Sequence, residues 1–347
     1  KTLRNSARNP ADFLTRYGFW LSLSISASCL YLAVRKVPLG EVLQALGRFG
    51  FWWIVLAVLI HVANIFARAR RWQVLLRSPV GFTSCFWVQG IGYLFNNILP
   101  LRVGDGVRIL VLGNVRGCSI PRVAGSVLAE RLLDVASVLL ILASILPLMD
   151  VPQRVLNNSA AIGLLALSAV AGTVLMLRFG HRLLARLRSN RLETAWFRWV
   201  SQDLSPLLQP RQVLSNAAWS ILCWILTVMV YWCVLRAFQV NGTWIEASFL
   251  VVFLSLAMAV PSAPGFLGVF QLVGQQALVM PFGTKYTPAS ALSIALMSHL
   301  VFYTVTTSVG LLSLFPARKS LTAGRTFGNL WHAARNVRSL VRERLEN

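Results

Sequence analysis

The fold is decided by residues 96–105, which read NNILPLRVGD and lie between two apolar stretches of the chain. This segment combines the helix-breaking Pro100 and Gly104 with two opposite charges, Arg102 and Asp105. Hydrocarbon offers no partners to backbone N–H and C=O groups, so irregular chain at membrane depth must be buried in protein or line a wet cavity. A charged turn in that position indicates a functional site, although a loop exposed to water could have the same residues.

A second stretch with the same spacing of proline and glycine, PSAPG at residues 261–265, supports the interpretation as a functional site. Both stretches read Pro-x-x-x-Gly, and each lies between apolar segments too short to cross a bilayer as single helices. Segments 84–115 and 247–283 are therefore predicted to be re-entrant helical hairpins, with the motif at the tip of each.

The composition is that of a membrane protein. Hydrophobic residues make up 56% of the chain and charged residues 13%, and the mean hydropathy is +0.65. The net charge of +22 could indicate nucleic-acid binding, but no recognition fold is visible. The basic residues instead lie between apolar segments and at both ends, as expected beside anionic lipid headgroups. The five Cys and four His lack the spacing of a disulfide framework or a metal site, so no metal or cofactor is predicted.

An all-α polytopic membrane protein is predicted, with six full transmembrane helices besides the two hairpins. The six predicted spans are residues 17–34, 51–67, 123–148, 160–177, 213–235 and 289–315. Most Lys and Arg fall on one side of the membrane when both termini are cytoplasmic, as the positive-inside rule requires. The predicted location is the bacterial cytoplasmic (inner) membrane, which the chain crosses several times.

Three basic segments flank or interrupt the transmembrane domain, which is predicted at residues 17–315. Residues 1–16 form a basic cytoplasmic leader, and the first span is expected to remain as a signal anchor because no small-residue cleavage site follows it. Residues 178–212 are predicted to be a basic interfacial linker, and residues 316–347 a basic amphipathic tail.

The order of spans and hairpins predicts two helix–hairpin–helix units of opposite orientation. Inverted repeats whose broken helices meet near the midplane are the usual architecture of secondary transporters. The half-helix that begins near Gly104 would point its amino-terminal dipole, together with Arg102 and Arg108, at an anion such as a phosphate headgroup.

The third predicted span contains charges of its own. Glu130 and Asp134 share one helix face, and Arg131 can reach Asp134 at i, i+3. A purely structural ion pair is the alternative. Glu130, Arg131 and Asp134 can also form a larger cluster with the charged residues of the first hairpin. This cluster of three bases and three acids can be neutral before a substrate arrives, and it consists of Arg102, Asp105, Arg108, Glu130, Arg131 and Asp134.

The second predicted span has a polar face and a basic end. His61 and Asn64 lie at i, i+3, which favours hydrogen bonding between helices. Residues 68–72, RARRW, are predicted to be a basic flank that ends the span at the membrane surface.

These residues resemble the lysylphosphatidylglycerol synthase transmembrane region, also called the flippase-like family. The resemblance rests on NxxPxRxGDxxR at residues 97–108, ERxxD at 130–134 and PGxxGVxQ at 264–271, and it covers roughly residues 15–315. In bifunctional members this region precedes an aminoacyl transferase domain and moves its lipid product outward. Stand-alone relatives are associated with lipid, hopanoid and polyprenyl-linked sugar pathways. Phe266 and Gln271 stand where the family often has Gly and Glu, so proton coupling at the second hairpin is in question.

The resemblance implies a transporter that moves a lipid or lipid-linked intermediate across the membrane. The alternatives are a membrane-embedded transferase that uses Glu130 or Asp134 as general base, and a non-transporting scaffold for a lipid-synthesis enzyme. No catalytic residue is predicted. Expected partners are the lipid and anionic phospholipid headgroups, with a lipid-synthesis enzyme or a second copy of the chain as further candidates, and no nucleic acid. The predicted substrate-binding residues are Asn97, Pro100, Arg102, Gly104, Asp105, Arg108, Glu130, Arg131, Asp134, Pro261, Pro264, Gly265, Gly268 and Gln271.

Overall fold

The computed structural model describes residues 10–35, 37–76, 80–99, 102–113, 118–149, 210–258 and 262–320. Within these ranges the chain forms α-helices and short 3-10 turns and no strand, which confirms the all-α prediction. The predicted span 160–177, nearly all of the linker and the tail, and most of the leader lie outside the described residues, as do Pro100 and Pro261.

The helices before the undescribed central segment are α1 Pro10–Val34, α2 Leu39–Gly47, α3 Phe51–Leu76, α4 Phe82–Ile98, α5 Val103–Gly113 and α6 Ile120–Ile145, with a 3-10 turn at Leu146–Leu148. Those after it are α7 Pro210–Ala237, α8 Trp244–Ala257, α9 Val269–Phe282 and α10 Pro288–Ser320, with a 3-10 turn at Pro264–Phe266 before α9.

Five helical segments of the described chain are long and apolar enough to cross a membrane. Four of them correspond to α3, α6, α7 and α10, as predicted. The fifth is Pro264–Phe282, which the hydropathy pattern placed inside the second hairpin. The apolar part of α1, Trp20–Val34, is shorter. The described residues thus establish a multi-pass membrane protein, and the count of six spans stays a prediction.

The first hairpin segment consists of α4 and α5, which pack against each other. Their close approach depends on Gly104, because a Cβ atom there would collide with the carbonyl oxygen of Gly92 and the side chain of Asn96. The Gly104 N–H instead donates to Oδ1 of Asn96 at 2.8 Å. This bond satisfies one of the free N–H groups at the start of α5.

The second hairpin segment consists of α8 and α9, and its beginning is anchored by Glu246. Thr243 and Glu246 form a capping box, since each side chain accepts a hydrogen bond from the other residue's N–H. The same carboxylate accepts from Lys285 Nζ and from Tyr286 OH, both at 2.7 Å. The start of α8 is therefore fixed to the loop between α9 and α10.

Each helix–helix contact of the unit α3–α6 has a counterpart in the unit α7–α10. Helix α4 packs on α10 as α8 packs on α6, and α3 and α7 pack on each other. The pairs α3·α4, α4·α5 and α5·α6 likewise correspond to α7·α8, α8·α9 and α9·α10. Helix α1 lies outside this scheme and packs on α9.

Candidate functional site

A buried network of ion pairs connects α3, α5 and α6. Glu130 lies at its centre, with Oε2 2.8 Å from Nη2 of Arg108 and Oε1 3.6 Å from Nη2 of Arg71. Asp134, one turn further along α6, lies 2.8 Å from Nη1 of Arg71. The side chains of Arg71, Arg108 and Glu130 are 0%, 2% and 2% exposed. These two bases and two acids balance each other, which is what makes their burial tolerable.

Arg108 is also held by an aromatic ring. Its guanidinium carbon lies 4.0 Å from the centroid of the Trp72 ring, a cation–π distance. The indole N–H of Trp72 donates to Oγ of Ser126 at 3.0 Å, which fixes the ring. Arg108 therefore has little freedom to turn toward a ligand.

The prediction that residues 68–72 form a basic flank at the membrane surface is wrong for Arg68 and Arg71. Helix α3 continues to Leu76, so both side chains face the interior of the bundle and only Arg70 is exposed. Nη1 of Arg68 lies 3.8 Å from Oδ2 of Asp134.

A signal for this face was present in the sequence. Asn64, Arg68 and Arg71 are spaced i, i+4, i+7, which places them on one side of a helix. Asn64 Nδ2 donates to the Cys223 carbonyl at 2.6 Å and to Thr227 Oγ1 at 3.0 Å, while Oδ1 accepts from Arg68 Nε. The hydrogen bonding between helices predicted for Asn64 is therefore present.

Asp105 and Arg131 form a second layer of the network, nearer to solvent. Arg131 reaches three carboxylates, at 3.3 Å to Glu130, 3.4 Å to Asp105 and 3.5 Å to Asp134. The predicted pairing of Arg131 with Asp134 along α6 is thus observed. The side chains of Arg131 and Asp105 are 34% and 22% exposed, so this layer faces an open space.

That space is a cavity of about 130 Å³ between the two hairpin segments and the long helices. Its charged lining residues are Arg68, Arg102, Asp105 and Arg131. Polar and aromatic side chains supply most of the remaining wall, including His61, Asn64, Tyr93, Thr227, Tyr231 and Phe302. Such a wall can hold a compact polar group inside a helical bundle.

Arg102 differs from the other arginines of the cavity because it forms no ion pair with a described residue. Its guanidinium carbon lies 5.6 Å from the centroid of the Phe266 ring. Both residues have positive φ, 54° for Arg102 and 62° for Phe266, a backbone conformation that is uncommon for residues other than glycine. The two hairpin segments thus meet at their tips through two strained residues, as is common at ligand sites.

The predicted neutral cluster is wrong because its membership was incomplete. Arg68 and Arg71 join it, so five arginines stand beside or line the cavity with three carboxylates among the described residues. The buried part is balanced, whereas the cavity wall carries Arg68, Arg102 and Arg131 against Asp105 alone. The excess positive charge lies on the wall, where an anion could reach it.

The second hairpin contains a chain of neutral hydrogen bonds instead of charges. Gln271 Oε1 accepts from the Gly268 N–H at 2.7 Å, which leaves its amide nitrogen to donate to His299 Nδ1 at 2.7 Å. His299 Nε2 lies 2.7 Å from the carbonyl oxygen of Gly265, which can only accept. His299 is therefore neutral with its proton on Nε2.

Replacing Gln271 by Glu should destabilise the protein by about 1–3 kcal/mol, because a carboxylate cannot donate to the acceptor Nδ1 of His299. Thermal unfolding of the purified protein in detergent measures the effect. Gln276→Glu makes the same chemical change on the same helix, at a side chain that forms no hydrogen bond with a described residue. An unchanged or raised melting temperature for Gln271→Glu alone would mean that Nδ1 carries a proton.

The described members of the predicted substrate-binding set in the second hairpin do not line the cavity; of the described residues 262–268, Phe266 is the one that does. Gly265 has φ 68°, and a Cβ atom there would lie 2.7 Å from the ring of Tyr303. A side chain at Gly268 would collide with the carbonyl oxygen of Ser26 in α1. Pro264 begins the 3-10 turn. With Gln271, these residues form and pack the turn that presents Phe266.

Of the eight predicted residues in the first hairpin and α6 that the structure describes, four line the cavity and four lie behind it. The lining residues are Asn97, Arg102, Asp105 and Arg131. Those behind are Gly104, Arg108, Glu130 and Asp134, which shape the hairpin and complete the ion network. The amide of Asn97 donates to Oγ1 of both Thr306 and Thr307 at 2.9 Å, so it ties α4 to α10. No group of three His, Cys, Asp or Glu within the described ranges could hold a metal ion.

Two curated proteins match the chain at low identity. Glycosyltransferase AglD of Haloferax volcanii is 24% identical over 344 residues, which cover 86% of this chain and 54% of AglD. The chain thus spans about half the length of that relative. A UPF0104 membrane protein of Methanothermobacter thermautotrophicus is 23% identical over 283 residues, covering 75% of this chain and 82% of that protein. The family model of the lysylphosphatidylglycerol synthase TM region matches residues 19–310, which include all of the motifs at the two hairpins and α6. The chain therefore belongs to the lysylphosphatidylglycerol synthase TM region family of integral membrane proteins.

Proposed function

We propose that this protein moves a lipid with an anionic headgroup across the membrane in which it lies. The observation that carries the proposal is Arg102, a guanidinium without a carboxylate partner among the described residues, on the wall of a cavity between two hairpin tips. Charge inside a membrane protein is costly and marks substrate or ion pathways. The candidate substrates are an anionic phospholipid, a polyprenyl-linked sugar or a hopanoid intermediate. The name of the relative AglD is compatible with the lipid-linked sugar.

The two units α3–α6 and α7–α10 act in this proposal as inverted repeats with α4–α5 and α8–α9 as re-entrant hairpins. The correspondence of their helix contacts supports it. In transporters with such repeats, one unit rocks against the other around a site at the repeat interface. Arg102 and Phe266, one from each tip, would separate and reform their contact during this movement.

The proposed location is the bacterial cytoplasmic membrane with both termini on the cytoplasmic side, supported by the distribution of Lys and Arg. Anionic headgroups would contact the basic leader, linker and tail. A lipid-synthesis enzyme and a second copy of the chain are further proposed partners, and a role as a non-transporting scaffold for that enzyme is the third candidate.

A lipid-modifying transferase is the second candidate, favoured by the name of the glycosyltransferase relative. Glu130 and Asp134, the carboxylates predicted from the sequence as its general base, are poorly placed for that role. Glu130 is 2% exposed and contacts three arginines, and Asp134 likewise lies within 3.8 Å of three. Among the described residues, Asp105 is the carboxylate that lines the cavity, so it is the better candidate for the general base of a transferase.

Reconstitution distinguishes these functions. The purified protein is placed in liposomes that contain a fluorescent anionic lipid, and a membrane-impermeant quencher reports the fraction in the outer leaflet. Mass spectrometry of the recovered lipid reports chemical change. Transport predicts movement of unmodified lipid, a transferase predicts a modified lipid when the donor is supplied, and a scaffold predicts neither.

The charge of Asp105 should matter through its partner Arg131. Asp105→Asn is expected to slow transport, because it leaves Arg131 with a weaker partner on the cavity wall. Adding Arg131→Gln should restore part of the flux by removing the positive charge that Asp105 no longer balances. Arg108→Gln should not restore it, because it leaves the buried Glu130 without its nearest partner. Equal flux from both double variants would contradict this assignment of partners.

A further inference from the structure

The charges of the site form two layers with different totals. The buried layer contains Arg71, Arg108, Glu130 and Asp134, which balance. The wall of the cavity contains Arg68, Arg102 and Arg131 with one carboxylate, Asp105. The described residues therefore leave two positive charges in excess, and both are on the wall.

The three arginines of the wall also have the weakest ion pairs of the five. Arg68 is 3.8 Å from its carboxylate, and Arg131 makes no contact shorter than 3.3 Å to any of its three. Among the described residues, Arg102 has no ion pair, and its guanidinium lies over the ring of Phe266. By contrast, Arg71 and Arg108 are each within 2.8 Å of a carboxylate oxygen. Three guanidinium groups whose ion pairs are long, or absent among the described residues, therefore line a single cavity.

On the basis of the proposed function, we infer that the substrate lipid ends in a dianionic phosphate monoester. Such a group carries about 1.5 to 2 negative charges at neutral pH and presents three terminal oxygens. Two charges would neutralise the wall, and three oxygens match three guanidinium groups, each of which can bind in a forked geometry. A phosphodiester has one charge and two free oxygens, so it would leave one arginine uncompensated. A zwitterionic headgroup would add an ammonium group to a wall that is already positive.

The test compares two probes of nearly equal shape and different charge. The full chain is purified in nanodiscs of phosphatidylcholine, and the shift of its thermal unfolding is titrated with octyl phosphate, octyl sulfate and inorganic phosphate. Octyl phosphate should bind about tenfold or more tightly than octyl sulfate, because the sulfate has the same three terminal oxygens but a single charge, so its hydrogen bonds to the guanidinium groups are weaker. Equal affinity for the two alkyl probes would overturn the inference. Binding of inorganic phosphate as tight as that of octyl phosphate would overturn the assignment to a lipid.

Variants on the wall sharpen the test. Arg102→Gln reduces the excess to one charge and should remove most of the preference for phosphate over sulfate. Asp105→Asn should raise that preference, which keeps the inference testable if the first variant does not fold. Arg70→Gln removes the same charge from the exposed side of α3, where Arg70 bonds to Gln73, and should leave the preference unchanged. A preference that survives Arg102→Gln and does not respond to Asp105→Asn would assign phosphate to another site.

These experiments test the headgroup assignment and the proposed transport independently of each other. A strong preference for octyl phosphate without lipid movement in liposomes would remove the proposed transport and keep the headgroup assignment. Movement of lipids with no preference for the dianionic probe would keep transport and overturn the headgroup assignment.

Discussion

Replacing Glu130 by glutamine is expected to cost about 3–5 kcal/mol of folding free energy, enough to lose most of the folded protein. Glu130 is the carboxylate shared by Arg71, Arg108 and Arg131. Arg71 and Arg108 are almost completely buried, so the loss of this charge leaves them with Asp134 and a more distant Asp105. The amount of monodisperse protein and its melting temperature in detergent measure the effect.

Glu41→Gln is the matched control, because Glu41 is exposed in α2 and has no ion pair described here. Its effect should stay within about 0.5 kcal/mol, as for most surface substitutions. If Glu130→Gln also has a normal yield and melting temperature, the network does not stabilise the fold and the buried arginines must be compensated elsewhere.

Replacing Arg102 by lysine is expected to reduce lipid transport about tenfold or more, although the charge is kept. The guanidinium can bind two phosphate oxygens at once and lie against the face of Phe266, and a lysine ammonium reproduces neither arrangement. Because Arg102 forms no ion pair with a described residue, the folding free energy should change by less than about 0.5 kcal/mol. The liposome assay and thermal unfolding of the same preparation separate the two effects.

Arg70→Lys serves as the control for Arg102→Lys, since it makes the same exchange on the exposed side of α3. It should transport lipid at the rate of the unaltered protein. Normal lipid flux in Arg102→Lys would mean that residues 96–105 form an ordinary turn with no role in binding the lipid. A large loss of stability in Arg102→Lys would instead make its contact with Phe266 structural.

Much of the helical arrangement could be predicted because its causes are local. Pro100 and Gly104 follow an apolar segment, and the structure ends α4 at Ile98 and begins α5 at Val103. Proline lacks the N–H that would continue a helix, so the interruption follows from the residue type. The start of α8 was predicted three residues late, although Thr243 and Glu246 carry the sequence signature of a capping box.

The candidate site was predicted only in part. The charged residues of α5 and α6 do come together, but Arg68 and Arg71 had the ordinary appearance of a basic flank at the end of a span. Their burial depends on α3 continuing to Leu76, and propensity alone does not decide where a long apolar helix leaves the membrane. The shared helix face of Asn64, Arg68 and Arg71 would have indicated that both arginines point into the bundle.

The amino-acid sequence was enough to indicate a helical membrane protein that two proline–glycine turns interrupt, because hydropathy and local backbone chemistry act over a few residues. The family was indicated by the resemblance of its motifs and is shown by the family model. The three-dimensional arrangement was needed to show which arginines are neutralised, and that Arg102 lines the cavity with no carboxylate partner among the described residues. Ion pairing depends on partners far apart in the chain, such as Arg71 and Asp134, which are 63 residues apart. Their distance in space, and not their order in the sequence, sets the charge of the cavity wall.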